Sequence, residues 1–202
     1  MFEIVKAGGI MMGPIILASI IAAAIILERL WTLQPKRVLP GDLTEKVWRW
    51  VEQRQIQDKH IAALQQNSPL GKILAAGLAN RHRDRAVIKE SIEDTGRHVV
   101  HELDRFIGAL GTIASLSPLM GLLGTALGFI QIFSALQAKG SQAHIETFAG
   151  GIWQALICTA AGLALAIPCY AAYNYLVSRV NSIVLDMEKA ATEIVNIVVK
   201  SP

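Results

Sequence analysis

The stretch Ser117-Pro118-Leu119-Met120-Gly121-Leu122-Leu123-Gly124-Thr125 lies inside a run with no charged residue between Arg105 and Lys139. That run holds about 33 residues, against the ~20 that carry a helix across ~30 Å of hydrocarbon. Working outward, Lys6 to Glu28 and Glu146 to Arg179 bound two more such runs, of about 21 and 32 residues. The 17% of charged residues is therefore unevenly spread, and the mean hydropathy of +0.41 is too high for an ordinary soluble domain. The pattern predicts an all-α membrane protein with three transmembrane helices, over residues 8–31, 106–136 and 148–177. The second and third exceed one crossing, so they are expected to tilt or to extend into the cytoplasm.

Most of the basic residues lie in the long connection between the first two runs, with Lys36/Arg37 and Arg97/Arg105 at its flanks, whereas the loop after the second run carries only Lys139. The positive-inside bias places the connection, 32–105, and the tail, 178–202, in the cytoplasm. The N-terminus and a short loop over 137–147 then face the outside. This distribution also accounts for the net charge of +3, so no nucleic-acid partner is implied. The first run has a meagre basic flank and is followed at once by Glu28-Arg29, which favours a retained span over a cleaved signal peptide. Cys158 and Cys169 would lie ~16 Å apart along one helix. A disulfide needs Cα atoms within about 7 Å, so the two read as small apolar fillers.

Met1–Gly9 reads as an interfacial turn ahead of the first span, with Trp31 at its far boundary. Pro35 and Pro40-Gly41 break the chain, and Asp42 or Thr44 can cap a helix reaching about Gln55. A second short helix is expected over 56–66. Asn67-Ser68-Pro69 starts another that runs to about Asn80 and presents Leu70, Ile73, Leu74, Gly77 and Leu78 on one face. From Asp84 no proline occurs before Pro118, which predicts one helix passing unbroken into the second span. Gly140-Ser141 reads as the outside turn. The third span should continue past Arg179 as a C-terminal helix. The whole is expected to form a single membrane unit without a separate domain.

Gly121, Gly124 and Gly128 recur three to four apart, and Gly124–Gly128 is a GxxxG that lets helix backbones approach closely in lipid. Thr125 shares their face, and Thr159 shares a face with Ala155, Gly162 and Ala166. Each threonine hydroxyl either bonds back to a carbonyl one turn earlier or forms a polar spot of functional use within the bundle. Gln154 lies about 140° around the helix from Thr159. It either orders the bundle through an interhelical hydrogen bond or lines a polar path, and Gln131 is its counterpart in the second span. No acid lies within any span, so the chain itself offers no strong proton carrier at membrane depth.

His98, His101 and Glu102 could share a helix face, but this spacing is weak and the surroundings are basic, so no metal is expected. No phosphate-binding glycine loop, nucleophile elbow or zinc spacing occurs. Neither an enzyme nor a cofactor is expected.

Ser117-Pro118-Leu-Met-Gly121-Leu-Leu-Gly124-Thr125-Ala-Leu-Gly128 resembles the second-span signature of the MotA/TolQ/ExbB proton-channel family, in its ExbB/TolQ branch. Gly151-Ile-Trp-Gln154-Ala-Leu-Ile-Cys-Thr159-Ala-Ala-Gly162-Leu-Ala-Leu-Ala-Ile-Pro168 is similar to its third-span signature, and Tyr173-Asn174 fits the sequel. The stretch Arg105–Ala114 matches the family's approach to the second span, and the topology agrees over the whole chain. The resemblance implies a ring, a homopentamer, around a pair of single-span ExbD- or TolR-type partners in the inner membrane of a bacterium. Protons would cross at an aspartate on the partner's span, with Thr125 and Thr159 lining the pore opposite it. Gly121, Gly124, Gly128, Gly162, Pro118 and Pro168 would serve helix packing. Where the family usually places a glutamate in the third span, this chain has Gln154.

The leading expectation is a proton-channel subunit driving an envelope-spanning machine through a TonB- or TolA-type protein. TonB-dependent outer-membrane transport stands ahead of a TolQ-like role in envelope constriction. A non-conducting scaffold is the alternative of another class. A flagellar-stator role fits less well, because three spans are read and the cytoplasmic part is small.

Overall fold

The computed structural model describes residues 8–52, 57–139 and 145–200. Its helices are α1 (Met12–Thr32), α2 (Pro35–Val38), α3 (Gly41–Glu52), α4 (Asp58–Asn67), α5 (Pro69–Ala79), α6 (Arg85–Asp104), α7 (Ile107–Lys139) and α8 (Ile145–Lys200). Among the described residues there is no strand. Most of the expected interfacial turn over Met1–Gly9, and the Gly140-Ser141 turn, lie outside the described residues. Three segments are long and apolar enough to cross a membrane: Met12–Thr32, Arg85–Gln137 and Phe148–Ile197. The protein is an all-α membrane protein.

Two compact units make up the chain. One comprises Met1–Leu27 and Phe106–Tyr175, the other Glu28–Arg105 and Leu176–Pro202. In the first, the most apolar stretches leave much of their surface outward: Leu17, Leu122, Phe133 and Ile167 are each more than three-fifths exposed. Surface of that kind is stable only against lipid or another apolar partner. At 1.5 Å per residue α7 is ~50 Å long and α8 ~84 Å, both beyond the bilayer core. Pro118 and Pro168 lie inside α7 and α8, a placement that membrane helices accommodate through neighbouring groups.

The second unit follows the rule for water-soluble helices. Ser68 caps α5, its Oγ accepting from the Gly71 N–H at 3.1 Å, with Pro69 in the first turn where its missing N–H costs nothing. The apolar face of α5 is buried at Leu70, Ile73, Leu74, Gly77 and Leu78. It meets α6, whose Ile92 side chain lies where a methyl on Gly77 would be. Ile88, Val99 and Leu103 of α6 and Ile183, Met187 and Ile194 of α8 are buried as well, each worth about 1.5–3 kcal/mol on burial. Polar ties fix the edges, with Asn80 Nδ2 donating to Ser91 Oγ at 3.0 Å and Arg85 Nη2 to Asn196 Oδ1 at 3.4 Å. α3 begins at Gly41, ahead of both residues expected to cap it.

One expectation is corrected. The helix from Asp84 does not pass unbroken into the second span, because α6 ends at Asp104 and α7 starts at Ile107. Phe106 between them takes φ 64, a left-handed conformation that costs a non-glycine residue about 1–2 kcal/mol. The break would orphan the carbonyls of Glu102 and Leu103. Arg29 takes them instead, donating from Nη1 at 3.3 Å and 3.2 Å, while its Nε and Nη2 hold Glu28. Arg29 is only 4% exposed. A buried, paired guanidinium thus terminates α6 at a point where no glycine or proline does so. α8, by contrast, runs unbroken through the third span to its C-terminal part.

Candidate functional site

The glycine and threonine segments meet along a seam between α7 and α8 inside the first unit. A methyl at Gly121 would sit 3.0 Å from the Cys158 carbonyl and the Thr159 Cα, and one at Gly162 would sit 2.6 Å from the Ser117 carbonyl. These neighbours are backbone and cannot yield, so only glycine permits the approach. At Gly124 a methyl would meet the Cys158 side chain, and at Gly128 it would lie 3.1 Å from Ala155 Cβ and from the Gly151 carbonyl. Pro118 is half-buried next to this seam and Pro168 is exposed.

Thr159 Oγ1 donates across the seam to the Gly121 carbonyl at 3.3 Å. In the helical ladder that same carbonyl receives the N–H of residue 125. Thr125 Oγ1 turns back on its own helix and donates to the Leu122 carbonyl at 2.6 Å. The two threonine hydroxyls therefore sit on one turn of α7, Gly121–Thr125. Both residues are half-buried. A hydroxyl has one hydrogen and two lone pairs. Each hydrogen here is committed to a carbonyl, so each oxygen offers acceptor positions outward. Ser117 does the same while fully buried, donating to the Ile113 carbonyl at 2.6 Å.

Gln154 is half-buried, and its amide nitrogen occupies the place that a methyl on Gly9 would take. Gly9 has φ +66, so two independent constraints require glycine there. One turn further along α8, Cys158 Sγ donates to the Gly8 carbonyl at 2.7 Å. The turn ahead of α1 is thus fastened to α8 at Gln154 and Cys158. Cys158, expected as a small apolar filler, is thus also a donor, and Gly8-Gly9 is the one local sign of the contact in the sequence. Gln131 is exposed and makes no hydrogen bond among the described residues. Among the described residues no three His, Cys, Asp or Glu side chains gather as metal ligands. The chemistry on offer is polar and uncharged: hydroxyl oxygens and an amide at a glycine-tight seam.

Comparison with known proteins gives a consistent result. The family model of the MotA/TolQ/ExbB proton channel family matches residues 65–189, which include α5, α6, α7 and the seam. The putative biopolymer transport protein ExbB-like 1 of Synechocystis sp. is 34% identical over 180 residues, 85% of this chain and 68% of that protein. The Tol-Pal system protein TolQ of Haemophilus influenzae is 45% identical over 87 residues, 43% of this chain and 38% of its own length. The biopolymer transport protein ExbB of Aquifex aeolicus is 39% identical over 87 residues, 43% of this chain and 58% of its own.

Proposed function

The chain belongs to the MotA/TolQ/ExbB proton channel family, in its ExbB/TolQ branch, and from that premise we propose that the threonines of the α7–α8 seam line a pore in which protons pass by way of a carboxylate supplied by a partner. The partner is an ExbD- or TolR-type single-span protein with an intramembrane aspartate. The chain assembles as a homopentameric ring around a pair of such partners in the bacterial inner membrane, with its N-terminus periplasmic and its C-terminus cytoplasmic. The ring drives an envelope-spanning machine, foremost TonB-dependent transport across the outer membrane. The long alignment with an ExbB-like protein supports that assignment over a TolQ role, whose supporting similarity is stronger but covers less of the chain.

The observation that carries the reading is the pair of committed hydroxyls on one turn of α7. Oxygens whose hydrogens are already used accept a hydrogen bond from a protonated carboxyl or from water. Accepting from the acid form favours its neutral state and raises the partner's carboxyl pKa. For the proton to leave, a hydroxyl must rotate off its carbonyl to donate to the carboxylate, or water must replace it. The threonines thereby poise the acid without changing their own charge. Gln154, held at the N-terminal turn, is polar lining in place of an acid.

A second reading has an observation behind it. Gln154 and Cys158 are engaged by Gly9 and Gly8, which suits a packing role and a non-conducting scaffold. Proton uptake into vesicles holding the chain with its partner separates the two. Flux that disappears when the partner's aspartate becomes asparagine, and that rises with Gln154→Glu, supports the channel. A complex that passes no protons supports the scaffold.

A further inference from the structure

Beyond the threonines, toward the charged ends of the two spans, α7 and α8 border an outward-open cavity of about 370 Å³ within the first unit, with Thr112, Ser115 and Tyr170 exposed along it. Its walls are Gly108, Gly111, Thr112, Ser115, Tyr170 and Tyr173, with Leu116 at the edge. Four of these carry hydroxyls, two on each span. The Tyr173 ring packs where a methyl on Gly111 would be, 2.8 Å from its Cε2, so the absent side chain at Gly111 is what makes room for the ring.

The polarity of the walls is specific. Thr112 Oγ1 donates to the Gly108 carbonyl at 3.0 Å and Ser115 Oγ to the Gly111 carbonyl at 2.9 Å. As at the threonine pair, these oxygens keep only acceptor positions for the cavity. The Tyr170 and Tyr173 hydroxyls make no hydrogen bond among the described residues and can both donate and accept. A space of this size, walled by several polar groups, satisfies the conditions for ordered water, with room for on the order of ten molecules. Acyl chains would leave the two tyrosine hydroxyls unpaired at a cost of a few kcal/mol each.

Position adds the second argument. Tyr170 is eleven residues from Thr159 and therefore ~16 Å along α8 and only ~20° around it, so both lie on one face. Arg105, in the break just ahead of α7, and Arg179 on α8 are the first charged residues past the cavity. The order along both helices is thus threonine pair, hydroxyl cavity, charged segment. On α7, buried Ser117 stands between the first two.

We propose that this cavity is a hydrated vestibule that receives protons released at the threonine level and delivers them to the side bearing the charged segments. The proposal rests on the channel reading above. Walls rich in acceptor oxygens solvate hydronium and disfavour anions, so the vestibule would be cation-selective without a charged side chain of its own.

Two measurements on the assembled complex with its partner test it. In vesicles exposing the charged segments, Thr112→Cys and Ser115→Cys should react with a charged, membrane-impermeant maleimide at least about tenfold faster than outward-facing Leu119→Cys. The wild type supplies the blank, since Cys158 and Cys169 are buried. Groove cysteines no faster than Leu119→Cys would overturn the vestibule. Proton flux gives the second measurement. Replacing all four hydroxyls (Thr112→Val, Ser115→Ala, Tyr170→Phe, Tyr173→Phe) should lower flux about tenfold or more, whereas the exchange Thr112→Ser with Ser115→Thr should keep it near wild type. Undiminished flux in the four-fold variant would refute the vestibule and leave the channel standing; a wild-type complex without flux would refute both.

Discussion

The two units of this chain solve the packing problem in opposite ways. In the unit of Glu28–Arg105 and Leu176–Pro202, large apolar side chains point inward and charges outward: Leu74 and Ile194 are fully buried, while Lys72 pairs with Glu102 at the surface. In the unit of Met1–Leu27 and Phe106–Tyr175 the large side chains face out, and the contact surface is made of Gly121, Gly124, Gly162, Ala155 and Cys158. Water drives the first arrangement by expelling apolar surface. Lipid offers no such drive, so the second depends on close backbone approach and on hydroxyls whose hydrogens are spent on carbonyls. The hydroxyl oxygens left at the edge of that tight seam are the groups proposed to border a proton path.

That contrast can be broken on purpose. The largest effect is expected at Gly162→Leu, whose side chain has only the Ser117 carbonyl and Gly121 backbone to displace. Overpacking costs about 1–3 kcal/mol where neighbours can shift, and here they cannot, so the assembled complex should be lost on size-exclusion chromatography. Next comes a pair of matched truncations. Leu74→Ala should destabilise the chain by about 2–5 kcal/mol through the cavity it leaves. Leu122→Ala, on the outward face, should shift the detergent-solubilised protein by under about 0.5 kcal/mol. Thermal unfolding monitored by circular dichroism compares the two, and equal losses would show that the units do not follow different rules. Smaller still is Arg29→Lys, which keeps the charge but loses the fork. A drop of about 1–3 kcal/mol is expected from the α6 carbonyls it leaves unpaired, again read by thermal unfolding.

The parts of this architecture visible in the sequence are those written locally. Uncharged runs marked the three spans, Ser68-Pro69 marked the start of α5, and glycine spacing on α7 marked the face that meets α8. What stayed hidden depends on partners far along the chain. The break at Arg105–Phe106 is held by Arg29 through the carbonyls of Glu102 and Leu103, 73 and 74 residues away from it, and no proline or glycine announces it. The fastening of the N-terminal turn joins Gly8 to Cys158 across 150 residues. Of the two threonines, Thr125 makes the bond to its own helix that its sequence allows, whereas Thr159 bonds the neighbouring helix, a contact that no local pattern announces. Their proposed service to a carboxylate rests on that geometry together with the family.

The most direct test of that service is proton flux through the complex of this chain with its partner, compared for Thr159→Val and Thr159→Ser. Valine keeps the shape of threonine and removes the oxygen, so flux should fall about tenfold or more, equivalent to ~1.4 kcal/mol in the barrier. Serine keeps the oxygen and should hold flux near the wild-type level. Flux for Thr159→Val equal to wild type would contradict the account.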